Sequence, residues 1–201
     1  MSLIDIQKKI GSVPDGSFGR DTARAMAGYL KINPTQAAHF LGQCTHETGG
    51  WRIFEENLNY SKEALLRVFP KYFTEEEADV YARNPIEIAN RVYGGRMGNN
   101  TINDGWQFRG RGAIQLTGKY NYQKLADDLD RPEIIAHPNL VATEFALESA
   151  IFFFESKGFF NKSIDMSLDC IQRTSVMVNG GYNGLKDREE WTLKIYQWIT
   201  A

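Results

Sequence analysis

The feature that most constrains this chain is its punctuation. N-cap residues repeatedly open short apolar-periodic segments that glycine or proline then closes, while runs alternating with the period of a strand are few. This pattern predicts a mainly α-helical fold. Asn33 followed by Pro34 caps a helix expected to run to the Gly49-Gly50 pair. Ser61 opens a helix that Pro70 stops, Thr74 with Glu77 fits a capping box, and Asn84-Pro85 opens a helix ending at Gly94-Gly95. Further helices are expected near 118–130, 141–157, 164–178 and 185–199, the last with Trp191, Ile195 and Trp198 on one face. Residues 96–112, rich in Gly and Asn, read as a long loop, and a loop of that length inside a compact domain is usually functional.

With 201 residues and 42% apolar content the chain can bury one sizeable core, and no Pro/Ser/Gly-rich linker or fixed-period repeat divides it. A single catalytic domain over 1–201 is expected, with 1–32 a helical segment packed on it rather than an independent module. The longest apolar run, around Ala150–Phe154, is far short of the ~20 residues of a membrane helix. Met1–Ile6 lacks the basic start and apolar stretch of a secretory signal, so synthesis in a cytoplasm and no membrane insertion are expected. Cys44 and Cys170 have no partners at metal-ligand spacing, and His39, His46 and His137 form no recognisable ligand set. No metal or cofactor is expected, and the thiols read as buried and free, with a single disulfide as the alternative. The net charge of −2 gives no global pull toward nucleic acid. Within 88–124, however, Arg91, Arg96, Arg109, Arg111, Lys119 and Lys124 face only Asp104. A basic strip against an acidic polymer and an ordinary solvated face explain this equally well.

Two carboxylates stand out. On the helix opened at Pro34, residues Ala37, Phe40, Leu41 and Cys44 form an apolar arc, and Glu47 falls at its edge. There a carboxylate is partly desolvated, a setting suited to a general acid. The glycines after it remove side chains that would block a polymer. Taken alone, a Glu near a helix end is far more often a surface residue. A second acid, Glu56, follows shortly in Glu55-Glu56-Asn57-Leu58-Asn59-Tyr60, and two carboxylates are the minimal equipment for glycoside hydrolysis. Trp51, Tyr60, Trp106 and Phe108 are candidates to stack on sugars, with core packing as the competing reading, and Asn57, Asn59 and Gln115 are candidates to bond hydroxyls or acetamides.

The strings His46-Glu47-Thr48-Gly49-Gly50, Glu56-Asn57-Leu58-Asn59-Tyr60-Ser61, Ala89-Asn90-Arg91-Val92-Tyr93 and Arg109-Gly110-Arg111-Gly112-Ala113-Ile114-Gln115-Leu116-Thr117-Gly118 are collinear. Together they resemble family 19 glycoside hydrolases, the bacteriophage endolysin branch more than plant chitinases, over roughly residues 35–190. The resemblance implies a two-lobed, lysozyme-like helical fold with a deep cleft and an inverting mechanism without metal or cofactor. It further implies Glu47 as general acid, Glu56 as general base and Thr117 as the hydroxyl orienting the attacking water. Gln115, Tyr120 and Asn121 match sugar-contacting positions. Asn179 and Arg188 match cleft positions near the general base, though a helix cap and a surface arginine account for these two nearly as well. The chain lacks the many cysteines of plant chitinases, which turns the expected substrate from chitin toward peptidoglycan glycan strands. A monomeric endolysin made in a host cytoplasm is the expectation, and a chitinase or a catalytically inactive wall-binding relative are the alternatives. Pro14-Asp15-Gly16-Ser17-Phe18-Gly19-Arg20-Asp21-Thr22 resembles the turn of a small peptidoglycan-binding module, but is read as an ordinary interhelix turn.

Overall fold

The computed structural model describes all 201 residues, Met1–Ala201. Its helices, in chain order, are α1 (Leu3–Lys9), α2 (Arg20–Leu30), α3 (Pro34–Glu47), α4 (Lys62–Val68), α5 (Glu75–Tyr81), α6 (Pro85–Tyr93), α7 (Asp104–Gln107), α8 (Lys119–Leu129), α9 (Glu133–Ala136), α10 (Leu140–Thr143), α11 (Ala146–Ser156), α12 (Leu168–Asn179) and α13 (Leu185–Thr200). The fold is mainly α: the only extended pairing is two isolated antiparallel bridges, Glu55 with Arg111 and Arg111 with Leu116. No helix is long and apolar enough to cross a membrane.

Local chemistry sets several helix starts. The side chains of Asn33, Ser61, Asn84 and Ser167 each accept the backbone N–H three residues on, and Thr74 with Glu77 closes a full capping box. Two expectations need correction. The helix expected over 141–157 is broken in two, because buried Phe145 turns the chain out of helical geometry between α10 and α11. The loop expected over 96–112 contains α7, nucleated by Asp104, whose carboxylate accepts from the backbone N–H of Asn100 and Thr101 and from the Thr101 hydroxyl.

The chain folds as two compact units. The first comprises Met1–Phe54, Gly112–Ile114 and Ala142–Ala201, and α3 is its axis. Sequence suggested one apolar arc on α3, yet every residue from Gln36 to Thr45 is buried. The reason is that α2, α12 and α13 all pack on this helix. At the α13 crossing a Cβ on Gly42 would lie 2.3 Å from Thr192 Oγ1, so only glycine permits the approach. Phe40 and Phe159 each meet Phe154 with ring centroids 5.0 Å apart. Each such buried side chain contributes about 1.5–3 kcal/mol. Cys44 and Cys170 are buried free thiols in this unit.

The second unit comprises Glu55–Arg111 and Gln115–Val141. Leu58, Leu65, Phe73, Ala78, Ile88, Ala89 and Val92 form a core on which Tyr60, Tyr93 and Trp106 pack. Part of the basic stretch is paired inside this unit: Arg91 with Glu77, Arg109 and Arg111 with Glu55, and Lys119 with Asp104.

Candidate active site

In the first unit, Glu47 is the last residue of α3 and its side chain is 18% exposed. Thr48 caps the helix, its hydroxyl donating to Cys44 O at 2.7 Å and accepting from Trp51 N–H at 2.8 Å. Glu47 Oε1 accepts from Arg188 Nη2 at 2.5 Å. Arg188 is only 2% exposed, and its remaining donors reach Gln43 Oε1 at 2.6 Å and Asn183 O at 3.3 Å. Gln43 is itself fixed, donating to Ser175 Oγ at 3.0 Å. Arg188 is thus no surface arginine. The sequence pattern associated it with the general base, whereas the structure places it on Glu47. Asn179, exposed at the end of α12, donates to the same Asn183 carbonyl at 3.4 Å. A carboxylate is therefore held at a helix end by a buried, oriented guanidinium. The same two charges act on the thiol behind them: burial first, then Glu47, pushes Cys44 well above the usual range, with Arg188 opposing.

In the second unit, Glu56 is clamped on both oxygens. Tyr93 donates its phenol to Oε1 at 2.7 Å, and Gly110 N–H donates to Oε2 at 3.3 Å. The backbone closes the clamp, with Glu56 N–H donating to Gly110 O at 2.9 Å. A Cβ on Gly110 would lie 3.3 Å from Glu56 Oε2 and 3.0 Å from Gln115 Oε1, so a side chain there would crowd both. Burial raises the Glu56 carboxyl above its usual range, and Tyr93, Gly110 and the Arg109 charge partly offset it. Burial and the adjacent Glu56 charge push the Tyr93 phenol far upward, so it remains a donor at neutral pH. Glu55, by contrast, binds Arg109 and, at 3.0 Å, Arg111 Nε. The neighbouring acids are divided between one structural clamp and one poised carboxylate.

The other expected residues fall into place individually. Thr117 donates its hydroxyl to Gln115 O at 2.9 Å, and Asn121 donates to Thr117 O at 2.7 Å, so these three are tied together. Gln115 takes a left-handed φ of 55°, a strained conformation that such ties must hold. Tyr120 is 56% exposed, with Lys124 Nζ 4.4 Å from its ring centroid. Asn57 is exposed and its side-chain carbonyl accepts from Asn59 N–H at 2.9 Å. Trp106 is half-buried, with the Arg109 guanidinium 3.5 Å from its ring centroid. Trp51 and Phe108, candidates for sugar stacking, are core residues: Trp51 is 1% exposed with its indole N–H on Thr45 Oγ1, and Phe108 packs on Tyr122. Sequence gave Tyr93 and Gly110 no role; their presence in the family-like motifs was the only signal.

The clamp on Glu56 has a consequence for pH dependence. A general base works only when deprotonated, so if Glu56 is the base, as the motif resemblance implies, its carboxyl would set the acidic limb of the kcat/KM profile. Tyr93→Phe keeps the ring and removes a donor that favours the carboxylate. The acidic limb is expected to move to higher pH, with the plateau largely retained. A limb that stays in place or moves down in a pH series would show that Tyr93 does not tune Glu56.

The profile of glycoside hydrolase family 19, described as chitinase class I, matches residues 19–165. A glycosyl hydrolase family 19 domain-containing protein of Haemophilus influenzae is 40% identical over 164 residues, covering 78% of this chain and 76% of that protein. Among solved structures, chitinase C from Streptomyces griseus aligns with a TM-score of 0.52 at 19% identity, over 88% of this chain and 82% of its own. A bacterial family 19 chitinase aligns with a TM-score of 0.51 at 18% identity, over 100% of this chain and 95% of its own.

Proposed function

We propose that this chain, which belongs to glycoside hydrolase family 19, hydrolyses β-1,4 bonds between the amino sugars of peptidoglycan by an inverting acid/base mechanism. Glu47 serves as general acid, protonating the leaving oxygen, and Glu56 as general base, taking a proton from the attacking water. Thr117 helps orient that water; with its proton given to Gln115 O, the hydroxyl oxygen remains an acceptor. Gln115, Tyr120, Asn121, Asn57, Trp106 and Asn179 contribute sugar contacts, and Arg188 orients Glu47. The observation that carries the catalytic reading is that both carboxylates sit in built environments, one on a buried arginine and one under a phenol and a backbone amide.

Peptidoglycan as substrate rests on the closer likeness of the motifs to the endolysin branch. With it goes a phage-type role: synthesis in the host cytoplasm and action of a monomer on the wall. A second reading, chitin, is favoured by the solved neighbours, which are chitinases. Digestion of purified sacculi and of chitin oligomers, with mass spectrometry of the soluble fragments, separates them. The expected result is release of muropeptides with ordinary reducing ends. Turnover of chitin oligomers with intact sacculi would overturn the peptidoglycan reading.

A further inference from the structure

The first unit carries a cavity of about 480 Å³ whose lining includes Ser17, Phe18, Thr45, Arg52, Asp187 and Trp191. Ligand sites span ~300–1,000 Å³. Ser17, Phe18, Asp187 and Trp191 all lie outside the stretch matched by the family profile.

The wall is firmly fixed for a surface turn. Buried Gln7 donates to Asp15 Oδ1 at 2.8 Å and to Ser17 O at 3.1 Å, and its carbonyl accepts from Gly16 N–H at 2.8 Å. Phe18 packs on Trp51 and edge-on against Trp191, which sets the indole at the cavity. Charge in the cavity is uneven. Asp187 Oδ2 is engaged by His46 Nδ1 at 2.6 Å, whereas the exposed guanidinium of Arg52 has no carboxylate partner. Lys194, outside the lining, holds its amine 4.8 Å from the Trp191 ring centroid. Gly49 and Gly50 leave part of the lining without side chains.

An indole wall, the exposed Ser17 hydroxyl and an unpaired guanidinium together suit an amino sugar that carries a carboxylate. We propose that this cavity binds the N-acetylmuramoyl group of peptidoglycan, with the carboxylate of its lactyl or stem-peptide arm on Arg52 and the sugar against Trp191. The proposal rests on the peptidoglycan reading above, since chitin carries no carboxylate. It assigns Arg52 and Trp191 to substrate selection, apart from the acid and base.

The test uses probes without a cleavable glycosidic bond, so binding is read independently of turnover. The ¹⁵N-labelled protein is titrated with N-acetylmuramic acid, with muramyl dipeptide and with N-acetylglucosamine as the neutral control. Resonances of Arg52 Nε, Trp191 Nε1, Gly16 and Gly50 are expected to shift with one or both acidic probes, at least tenfold more tightly than with the neutral sugar. A response to N-acetylmuramic acid alone identifies the lactyl carboxylate as the ligand, and one to muramyl dipeptide alone the stem peptide. Arg52→Gln is expected to weaken acidic-probe binding at least tenfold while its spectrum remains that of a folded protein. Equal affinity for the neutral sugar, no shift at these residues, or an unaffected Arg52→Gln would each overturn the proposal. If these shifts occur but sacculi are not cut, the binding site stands and the hydrolase reading fails. Cut sacculi with a silent cavity would remove the binding site and leave the hydrolase reading intact.

Discussion

Glu47→Gln is expected to lower the rate of glycan hydrolysis by about 10²–10⁴-fold, the usual value of general acid–base assistance, while the protein stays folded. The amide has the shape of the acid but cannot deliver a proton to the leaving oxygen. It keeps the one structural service Glu47 performs, because its carbonyl can still accept from Arg188 Nη2. Glu47→Ala is a different experiment. It leaves Arg188, 2% exposed, without a partner on one arm, and a buried donor left unsatisfied costs about 1–3 kcal/mol. Thermal unfolding should therefore separate the two variants, with Ala lowered and Gln close to the parent, while activity is lost in both. A folded Glu47→Gln that clears sacculi at the parental rate would remove Glu47 from the mechanism. A Glu47→Ala as stable as the parent would show that Arg188 is satisfied without it.

What was legible in the sequence divides along the range of the interaction. Caps act over three residues, so Asn33, Ser61, Thr74 and Asn84 announce their helices locally, and the structure places helices after each. The break at Phe145 was not legible, since a run of helix formers gives no local sign that one side chain is drawn into the core. The reading of aromatics stayed open between sugar stacking and core packing for the same reason. Trp51 and Phe108 lie beside motif residues and look like sugar platforms, yet Thr45 and Tyr122, brought in by packing, claim them for the interior. The partners that condition the two carboxylates lay beyond any local pattern: Tyr93 is 37 positions from Glu56 and Arg188 is 141 from Glu47. Collinear motifs mark residues such as Tyr93 as present without saying what they touch. Only folding converts the string Asn90-Arg91-Val92-Tyr93 into a phenol on a carboxylate.

Glu56→Gln is expected to fall by a comparable ~10²–10⁴-fold, and its neighbour supplies the control. Glu55→Gln should be mild, because the amide oxygen can still accept from Arg111 Nε and the pairing of this residue is structural. Loss in Glu55→Gln with retained rate in Glu56→Gln would move the base by one position. Product chemistry then decides what Glu56 does. As a base it activates water on the face opposite the leaving group, so the parent enzyme acting on β-linked sacculi in ¹⁸O-labelled water should release labelled reducing ends that are first α. Were Glu56 a nucleophile, a covalent glycosyl intermediate would invert the centre twice and the β anomer would come first. If the muramic 6-hydroxyl attacked instead, no water would enter and 1,6-anhydro ends would dominate. Burial raises the Glu56 carboxyl, but two directed donors keep its carboxylate accessible, a setting that suits accepting a proton from water. The α anomer with label is therefore the expected result, and either other product would refute the inverting assignment whatever the mutants do.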